Sequence, residues 1–192
     1  MNLERIIDQS FERVKTFKSY RCVMDLYSWK NGREKAQQRF LYRAPGDVRI
    51  EQIGAWKKGA VVVMRANGKI RARGGGLLSF VKLELDRDSD ILRGITGDSA
   101  VESDWASVLW KFRRMLPFVV KAESQSARIF SLPGYEVVAH LKGQPFDKAR
   151  VVLREDGPIL LLERFQDNRI ESRNEWHNIE LNIEVRDEDF DL

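Results

Sequence analysis

The side chains that could carry nucleophilic or metal chemistry are few in this chain of 192 residues. It contains two histidines, His140 and His177, and one cysteine, Cys22. Each histidine falls in a predicted strand without a recognisable partner motif, so no nucleophile can be paired with a base. The three side chains are scattered from residue 22 to residue 177 with no two at ligand spacing, which does not indicate a zinc site. We therefore expect no catalytic residue, no metal and no cofactor, in a protein that is not an enzyme.

Two glycine-containing segments come close to known functional loops but lack their defining residues. Gly97-Asp98-Ser99-Ala100 is not a nucleophile elbow, because no glycine follows the serine at the required position. Gly74-Gly75-Gly76 is followed by leucines and not by the Gly-Lys-Ser/Thr of a phosphate loop. Cys22 is expected to be a small buried apolar side chain. None of these residues predicts acyl or phosphoryl transfer.

A group of basic residues suggests a second class of function. Lys69, Arg71 and Arg73 alternate on one predicted strand, and Trp56-Lys57-Lys58 lies on a nearby loop. Aromatic side chains beside cations can stack on bases while the cations neutralise phosphates. Alternating Arg and Lys are, however, typical of the solvated outer face of a half-buried sheet, and we favour that interpretation. Nucleic acid is therefore not the expected partner.

The composition predicts one folded domain over residues 1–192. Apolar residues make up 43% of the chain and charged residues 32%, which allows a sizeable core and argues against disorder. Acidic residues are interspersed among the basic ones, and the net charge is +4. No stretch approaches the roughly 20 apolar residues of a membrane-spanning helix, and the N-terminus opens with charge instead of an apolar signal region. The expected compartment is the periplasm if an export signal was removed, with the cytoplasm as the alternative.

Apolar periodicity predicts a mainly β, antiparallel architecture with two covering helices. A stripe at helical spacing predicts a first helix, and it consists of Leu3, Ile6, Ile7, Phe11 and Val14. From Tyr20 the period becomes two, and Asn31-Gly32 and Asn67-Gly68 predict tight hairpins. A further turn is expected at Pro133-Gly134. Roughly nine strands follow the first, at about 34–43, 48–53, 61–64, 69–73, 122–130, 135–141, 148–155, 159–166 and 170–184.

A second amphipathic helix is predicted over residues 103–116, ending before Pro117. Asp98 or Ser99 is expected to cap it, because Glu102 completes a Ser-x-x-Glu capping box with Ser99. Its apolar stripe consists of Trp105, Val108, Leu109, Phe112 and Leu116. The preceding segment, residues 77–98, shows no periodicity that decides between helix and strand.

Several short motifs in chain order resemble the LolA/LolB-like superfamily of outer-membrane lipoprotein-sorting proteins. Residues 40–51, Phe-Leu-Tyr-Arg-Ala-Pro-Gly-Asp-Val-Arg-Ile-Glu, are similar to the Pro-Gly-x-x-Arg stretch of that family. Residues 61–64, leading to Asn67-Gly68-Lys69, resemble its next hairpin. Residues 162–165, 176–182 and 187–190 are similar to its closing strands. The resemblance spans nearly the whole chain, but residues 77–125 cannot be matched one by one.

The resemblance implies a strongly curved antiparallel half-barrel whose apolar concave face is covered by helices and receives acyl chains. The implied function is non-catalytic binding or transport of a lipid or acylated lipoprotein, with a membrane-bound donor or acceptor protein as partner. Alternation places part of the cavity lining on the strands, at Met24, Leu26, Phe40, Tyr42, Val48, Ile50, Val61 and Val63. The covering helix is expected to add Trp105, Leu109 and Phe112. Arg49, the family-like arginine after Pro-Gly, is expected to anchor a lid or sheet edge, or to be an exposed strand residue.

Two alternatives stay open at this level. One is the basic β-sheet module for nucleic acid or another anionic polymer. The other is a scaffold with a solid core, because five Trp, ten Phe and four Tyr can fill an interior as well as line a cavity.

Overall fold

The chain forms an open sheet of eleven antiparallel strands in the computed structural model, which describes residues 3–129 and 131–192. The strands are β1 (Ser19–Ser28), β2 (Glu34–Arg43), β3 (Asp47–Gln52), β4 (Val61–Met64), β5 (Ile70–Arg73), β6 (Lys82–Leu85), β7 (Val119–Ile129), β8 (Leu132–Leu141), β9 (Lys148–Arg154), β10 (Ile159–Gln166) and β11 (Arg169–Leu181). Their order across the sheet is β6-β5-β4-β3-β2-β1-β11-β10-β9-β8-β7. The predicted antiparallel meander is confirmed, with one strand more than the ten segments predicted. Strands β1 to β6 form one meander and β7 to β11 form a second. The first strand, β1, pairs with the last, β11, so the two meanders meet at the centre of the sheet.

The extra strand comes from the segment that periodicity left undecided. Residues 77–98 contribute β6 and two 3₁₀ turns, Gly76–Leu78 and Asp90–Leu92. A four-residue edge strand is too short to impose a visible alternation, and this one pairs only with β5. The remainder of the segment crosses back towards the second helix.

One predicted turn is wrong. Pro133-Gly134 lies inside β8, which begins at Leu132. The predicted strand 122–130 ends at residue 130, which lies outside the described residues. Gly134 is needed for a different reason: a Cβ there would lie 2.2 Å from the carbonyl oxygen of Leu153 on β9. The glycine therefore permits close approach of two strands. By contrast, Asp167-Asn168 forms the hairpin turn between β10 and β11, with positive φ at both residues.

Two helices cover the same face of the sheet. The first, α1 (Leu3–Lys15), buries Ile6, Ile7 and Val14 of its predicted stripe. The second, α2 (Trp105–Met115), buries Trp105 and Leu109. The buried residues of both helices belong to one hydrophobic cluster with residues of the central strands. The helices also contact each other directly, since Asp8 of α1 pairs with Arg113 of α2 at 3.1 Å. We call the helix-covered side of the sheet the concave face and the other side the outer face.

The predicted cap of the second helix is displaced by one turn. Ser99 accepts a hydrogen bond from the backbone N–H of Val101 and so begins a 3₁₀ turn, Ala100–Glu102. The helix itself starts after Asp104, whose carboxylate accepts from the N–H of Ser107 at 3.0 Å. Both Ser and Asp are good capping residues, so the pattern of residue types did not decide between the two sites. No described helix has the length and apolar character needed to cross a membrane.

Candidate functional site

A cavity of about 560 Å³ lies between the concave face, α2 and the loops at residues 55–60 and 74–103. Its walls come from both meanders of the sheet. Apolar side chains on the walls include Met24 and Leu26 of β1, Ile50 of β3, Leu162 of β10, Trp176 of β11 and Phe112 of α2. The volume falls within the range of about 300–1,000 Å³ that small-molecule sites occupy.

Strand register explains why these side chains converge. Met24 is paired with Trp176 and Gln38, and Leu26 is paired with Asn174, so each row across the centre of the sheet continues from one meander into the other. Side chains directly opposite each other on paired strands share a face. A row that mixes apolar and amide side chains therefore forms the floor of the cavity.

The floor contains three buried amides that the sequence did not single out. Gln38, Gln52 and Asn174 line the cavity and are 7%, 9% and 7% exposed. Gln38 is paired with Gln52 on the neighbouring strand. The signal that could have revealed them is a polar residue at an inward position of an alternating strand, where Leu or Val is the usual choice.

An ion pair closes the wall of the cavity between β10 and the loop before α2. Arg164 donates two hydrogen bonds to Asp98, at 2.8 and 2.9 Å, and Thr96 donates a third at 3.0 Å. Burial raises the pKa of Asp98, but Arg164, Lys111 and Thr96 together outweigh burial and hold that pKa below its ordinary value. Asp98 is therefore a carboxylate whose charge is already neutralised. Lys111 of α2 pairs with Glu102 at 2.8 Å and lowers the pKa of that carboxyl as well.

Four of the predicted lining residues border the cavity from the concave face, and these are Met24, Leu26, Ile50 and Phe112. Val61 also lies at the edge of the cavity, but its side chain packs on the outer face. Phe40, Tyr42 and Trp105 lie on the same face but pack with Tyr20. The ring of Tyr20 is 3.9 Å from Trp105, 4.9 Å from Tyr42 and 5.7 Å from Phe40, measured between centroids. Val48 and Leu109 are also buried, and neither lines the cavity. This part of the concave face, which we call the closed end, is filled by protein.

Tyr20 also fixes the start of α2 over the closed end. Its hydroxyl oxygen accepts a hydrogen bond from the backbone N–H of Trp105 at 3.1 Å. This N–H belongs to the first turn of the helix and has no partner within the helix. Burial raises the pKa of Tyr20 well above its ordinary value, so the phenol stays protonated.

The predicted placement of Val61 and Val63 on the concave face is wrong. Register pairs Val61 with Glu51 and Val63 with Arg49, and both valines pack against Phe190 on the outer face. Every residue from 61 to 64 is apolar, so alternation could not decide which pair faces inward. The C-terminal 3₁₀ turn, Asp187–Phe190, covers the outer pair and removes the usual difference between a buried and a solvated face.

Arg49 lies outside the cavity. Its guanidinium donates to the carbonyl oxygens of Asp189 and Asp191 and thereby holds the C-terminal segment against the outer face. Arg43 and Arg65 support the same segment, since each pairs with Asp187 and lies over the ring of Phe190. On β5, the guanidinium of Arg71 lies 3.9 Å from the carboxylate of Asp191 in the same segment.

An exposed apolar turn borders the cavity. Leu77, Leu78 and Phe80 are 92%, 60% and 80% exposed, and Leu78 also lines the cavity. We call residues 77–80 the apolar turn. It follows Gly74-Gly75-Gly76, and a Cβ at Gly75 would lie only 2.0 Å from the carbonyl oxygen of Lys58. The glycine run thus lets the apolar turn pack against the loop at residues 55–60.

Neither histidine lines the cavity. His177 faces outward and lies 3.4 Å from the carboxylate of Asp25, and His140 alternates with the inward-facing Ala139. Cys22 is buried, which raises its pKa. Within residues 3–129 and 131–192, no three His, Cys, Asp or Glu side chains are grouped as metal ligands.

The architecture matches the half-barrel that the sequence resemblance implied: an unclosed antiparallel sheet with two helices over an apolar concave face. The fold is LolA-like. No family model matches the sequence, and no curated protein matches it either. Solved structures with similar folds share little sequence with the chain, so these comparisons establish the fold alone.

Among these structures, MucB superposes with a TM-score of 0.65 at 13% identity, covering 98% of this chain and 62% of MucB. The chain thus spans about three fifths of the MucB chain. An uncharacterised conserved protein from Thermus thermophilus gives a TM-score of 0.61 at 8% identity, covering 95% of this chain and 91% of that one. The LolA superfamily protein NE2245 from Nitrosomonas europaea gives 0.47 at 7% identity, covering 100% and 98%.

Proposed function

We propose that this protein binds a lipid or an acylated ligand reversibly, with the acyl chain in the cavity. The observation that carries the proposal is the unfilled space of about 560 Å³ between an apolar sheet face and α2. A solid-core scaffold would close such a space, because packed interiors hold few voids larger than a water molecule. The LolA-like fold supports the same proposal.

The energetics of such binding require no catalytic group. Each methylene transferred from water to an apolar cavity contributes about 0.8 kcal/mol, so ten methylenes contribute about 8 kcal/mol before the costs of association. Met24, Leu26, Ile50 and Phe112 provide the apolar contacts. We propose on this basis that the protein is a carrier and not an enzyme.

The apolar turn gives the acyl chain a path to the cavity. A chain that leaves a membrane or a partner must cross the rim, and Leu77 and Phe80 offer exposed apolar surface beside it. We propose that the natural ligand is a lipid or an acylated lipoprotein delivered in the periplasm. A membrane-bound donor or acceptor protein is the proposed partner.

Native mass spectrometry of the purified protein tests the proposal directly. We expect a co-purifying mass that dissociates under activation and is identified as an acyl lipid by fragmentation. Displacement of a fluorescent fatty-acyl probe then locates the site: Leu26→Trp should weaken probe binding, because the indole occupies cavity volume.

The matched control is Leu41→Trp, the same change at a partly buried leucine that packs on the outer face. It should leave probe affinity unchanged. If the parent protein binds no probe, or if both variants weaken binding equally, the proposed site is wrong.

A further inference from the structure

The amides on the cavity floor carry an inference that rests on the proposed function and narrows the class of ligand. Gln52 on β3 and Asn174 on β11 are both more than nine-tenths buried and both line the cavity. Their backbones are paired in the sheet, so the side chains are held at inward positions. Their neighbours on the floor and walls include Met24, Leu26 and Leu162.

Two of the amide oxygens have no hydrogen-bond partner. Among the described residues, none donates to Oε1 of Gln52 or to Oδ1 of Asn174, and both atoms are buried. A buried acceptor without a donor costs free energy, which a Met or Leu of similar size would avoid. A floor that binds only hydrocarbon therefore gains nothing from these amides. A ligand that donates hydrogen bonds to the two oxygens removes this cost and gains affinity.

The charges at the site indicate that those donors are uncharged. Amides are neutral and do not balance a ligand charge. Both carboxylates that line the cavity are engaged, Asp98 by Arg164 through two hydrogen bonds and Glu102 by Lys111 at 2.8 Å, so neither is free to balance a cationic donor. Arg73 also lines the cavity, and its buried Nε has no acceptor among the described residues, which further disfavours a cationic donor. A hydroxyl group is the best match, because it donates and accepts and so satisfies an amide in either orientation.

We infer that the cavity selects acyl lipids that carry hydroxyl groups, and that Gln52 and Asn174 bind those hydroxyls on the floor. Gln52 and Asn174 lie three strands apart, about 14 Å around the sheet at the usual strand spacing. They therefore contact different parts of a ligand. Gln38, beside Gln52, extends the polar surface at that end of the floor.

Two uncharged esters with the same acyl chain test the inference. In displacement of a fluorescent acyl probe, 1-oleoylglycerol should bind the parent protein about tenfold more tightly than methyl oleate, which lacks hydroxyls. The double variant Gln52→Met/Asn174→Leu should remove this preference by weakening 1-oleoylglycerol and leaving methyl oleate unchanged or tighter. Because one glycerol group reaches only one of two amides about 14 Å apart, one single variant should remove the preference and the other should leave it, which identifies the amide that the glycerol contacts.

The control is Met24→Leu, an apolar change on the same floor, which should affect both esters alike. The double variant should also unfold at a higher temperature than the parent without lipid, because two unsatisfied buried acceptors are gone. Equal binding of the two esters by the parent, or a preference that survives in the double variant, overturns the inference and leaves the lipid carrier intact. Failure of the parent to bind either ester overturns the proposed function as well.

Discussion

The two ends of the concave face are built on the same strands yet differ in what fills them. At the closed end, Tyr20 stacks with Phe40, Tyr42 and Trp105. Further along β1, the inward residues Met24 and Leu26 border the cavity. We call this part of the concave face the open end. The first turn of α2 is fixed over Tyr20, whereas the open end is covered by Phe112 and by loops. Alternation thus determines which side chains face inward, and the covering elements determine whether the space is filled.

Removal of the aromatic ring that joins α2 to the closed end should have the largest effect. Trp105→Ala deletes a side chain that is 1% exposed, and we expect a loss of about 3–5 kcal/mol in the free energy of unfolding. Phe112→Ala, at the border of the open end, should cost clearly less because one side of that ring already faces the cavity. Urea unfolding of both variants measures the difference. Equal losses would mean that the open end is as tightly packed as the closed end.

Enlarging one residue at each end sharpens the comparison. Phe40→Trp should cost about 1–3 kcal/mol through overpacking and leave the affinity for an acyl probe unchanged. Leu26→Trp should cost little stability, since the indole has space to occupy. Thermal unfolding with and without the probe separates the two effects. A larger stability loss in Leu26→Trp than in Phe40→Trp would contradict the assignment of filled and open ends.

The ion pair at the wall of the open end should make stability depend on acid pH. The folded-state pKa of Asp98 is lowered, so the pair stabilises the fold above the unfolded-state pKa of about 4, and this increment is lost as pH falls through the folded pKa. Asp98→Asn should lower stability at pH 7 by about 1–2 kcal/mol. That is less than a fully buried pair gives, because 27% of the Asp98 side chain is exposed.

Denaturant unfolding between pH 7 and pH 2 measures this dependence. The stability of the parent and of Asp98→Asn should converge at the acid end. Asp90→Asn is the control, since that carboxylate is 94% exposed in its pair with Arg93. Curves that stay parallel over the whole range would show that Asp98 does not supply the increment.

The smallest effect on stability should come from the apolar turn. Leu77→Ser with Phe80→Ser should change the free energy of unfolding by no more than about 0.5 kcal/mol, because both side chains are exposed. Uptake of a fluorescent acyl lipid from vesicles should nevertheless slow. Val120→Ser, an exposed apolar residue on the edge strand β7, is the matched control and should leave the rate unchanged. An unchanged rate in the double variant would remove the apolar turn from the proposed path.

The sequence predicted many of the inward-facing residues at both ends of the concave face, and the predictions that failed have physical causes. Alternation correctly placed Met24, Leu26 and Phe40 inward, because one face of β1 and of β2 is visibly more polar than the other. The same rule placed Val61 and Val63 inward, which is wrong, because both faces of Val61-Val62-Val63-Met64 are buried and the C-terminal turn supplies the second cover. Which inward residues border a cavity depends on the path of residues 74–103, and no sequence pattern specified that path.

The buried amides illustrate a different limit. Gln38, Gln52 and Asn174 occupy inward positions that a hydrophobic pattern treats as interruptions. Only the pairing of β1 with β11, which joins residues far apart in the chain, brings Asn174 to the same floor as the two glutamines. Local periodicity contains no information about which distant strands become neighbours.

The pairing of the first strand with the last has a consequence for how the protein is made. On the ribosome, β1 to β6 emerge early, but the central edge of β1 has no partner until β11 has been synthesised. During that interval an unpaired strand edge with apolar residues is exposed, and such edges pair readily with other chains. Contacts between residues this distant also form slowly. A nascent chain of this protein therefore depends on rapid completion of translation, or on a chaperone that shields β1, to avoid aggregation.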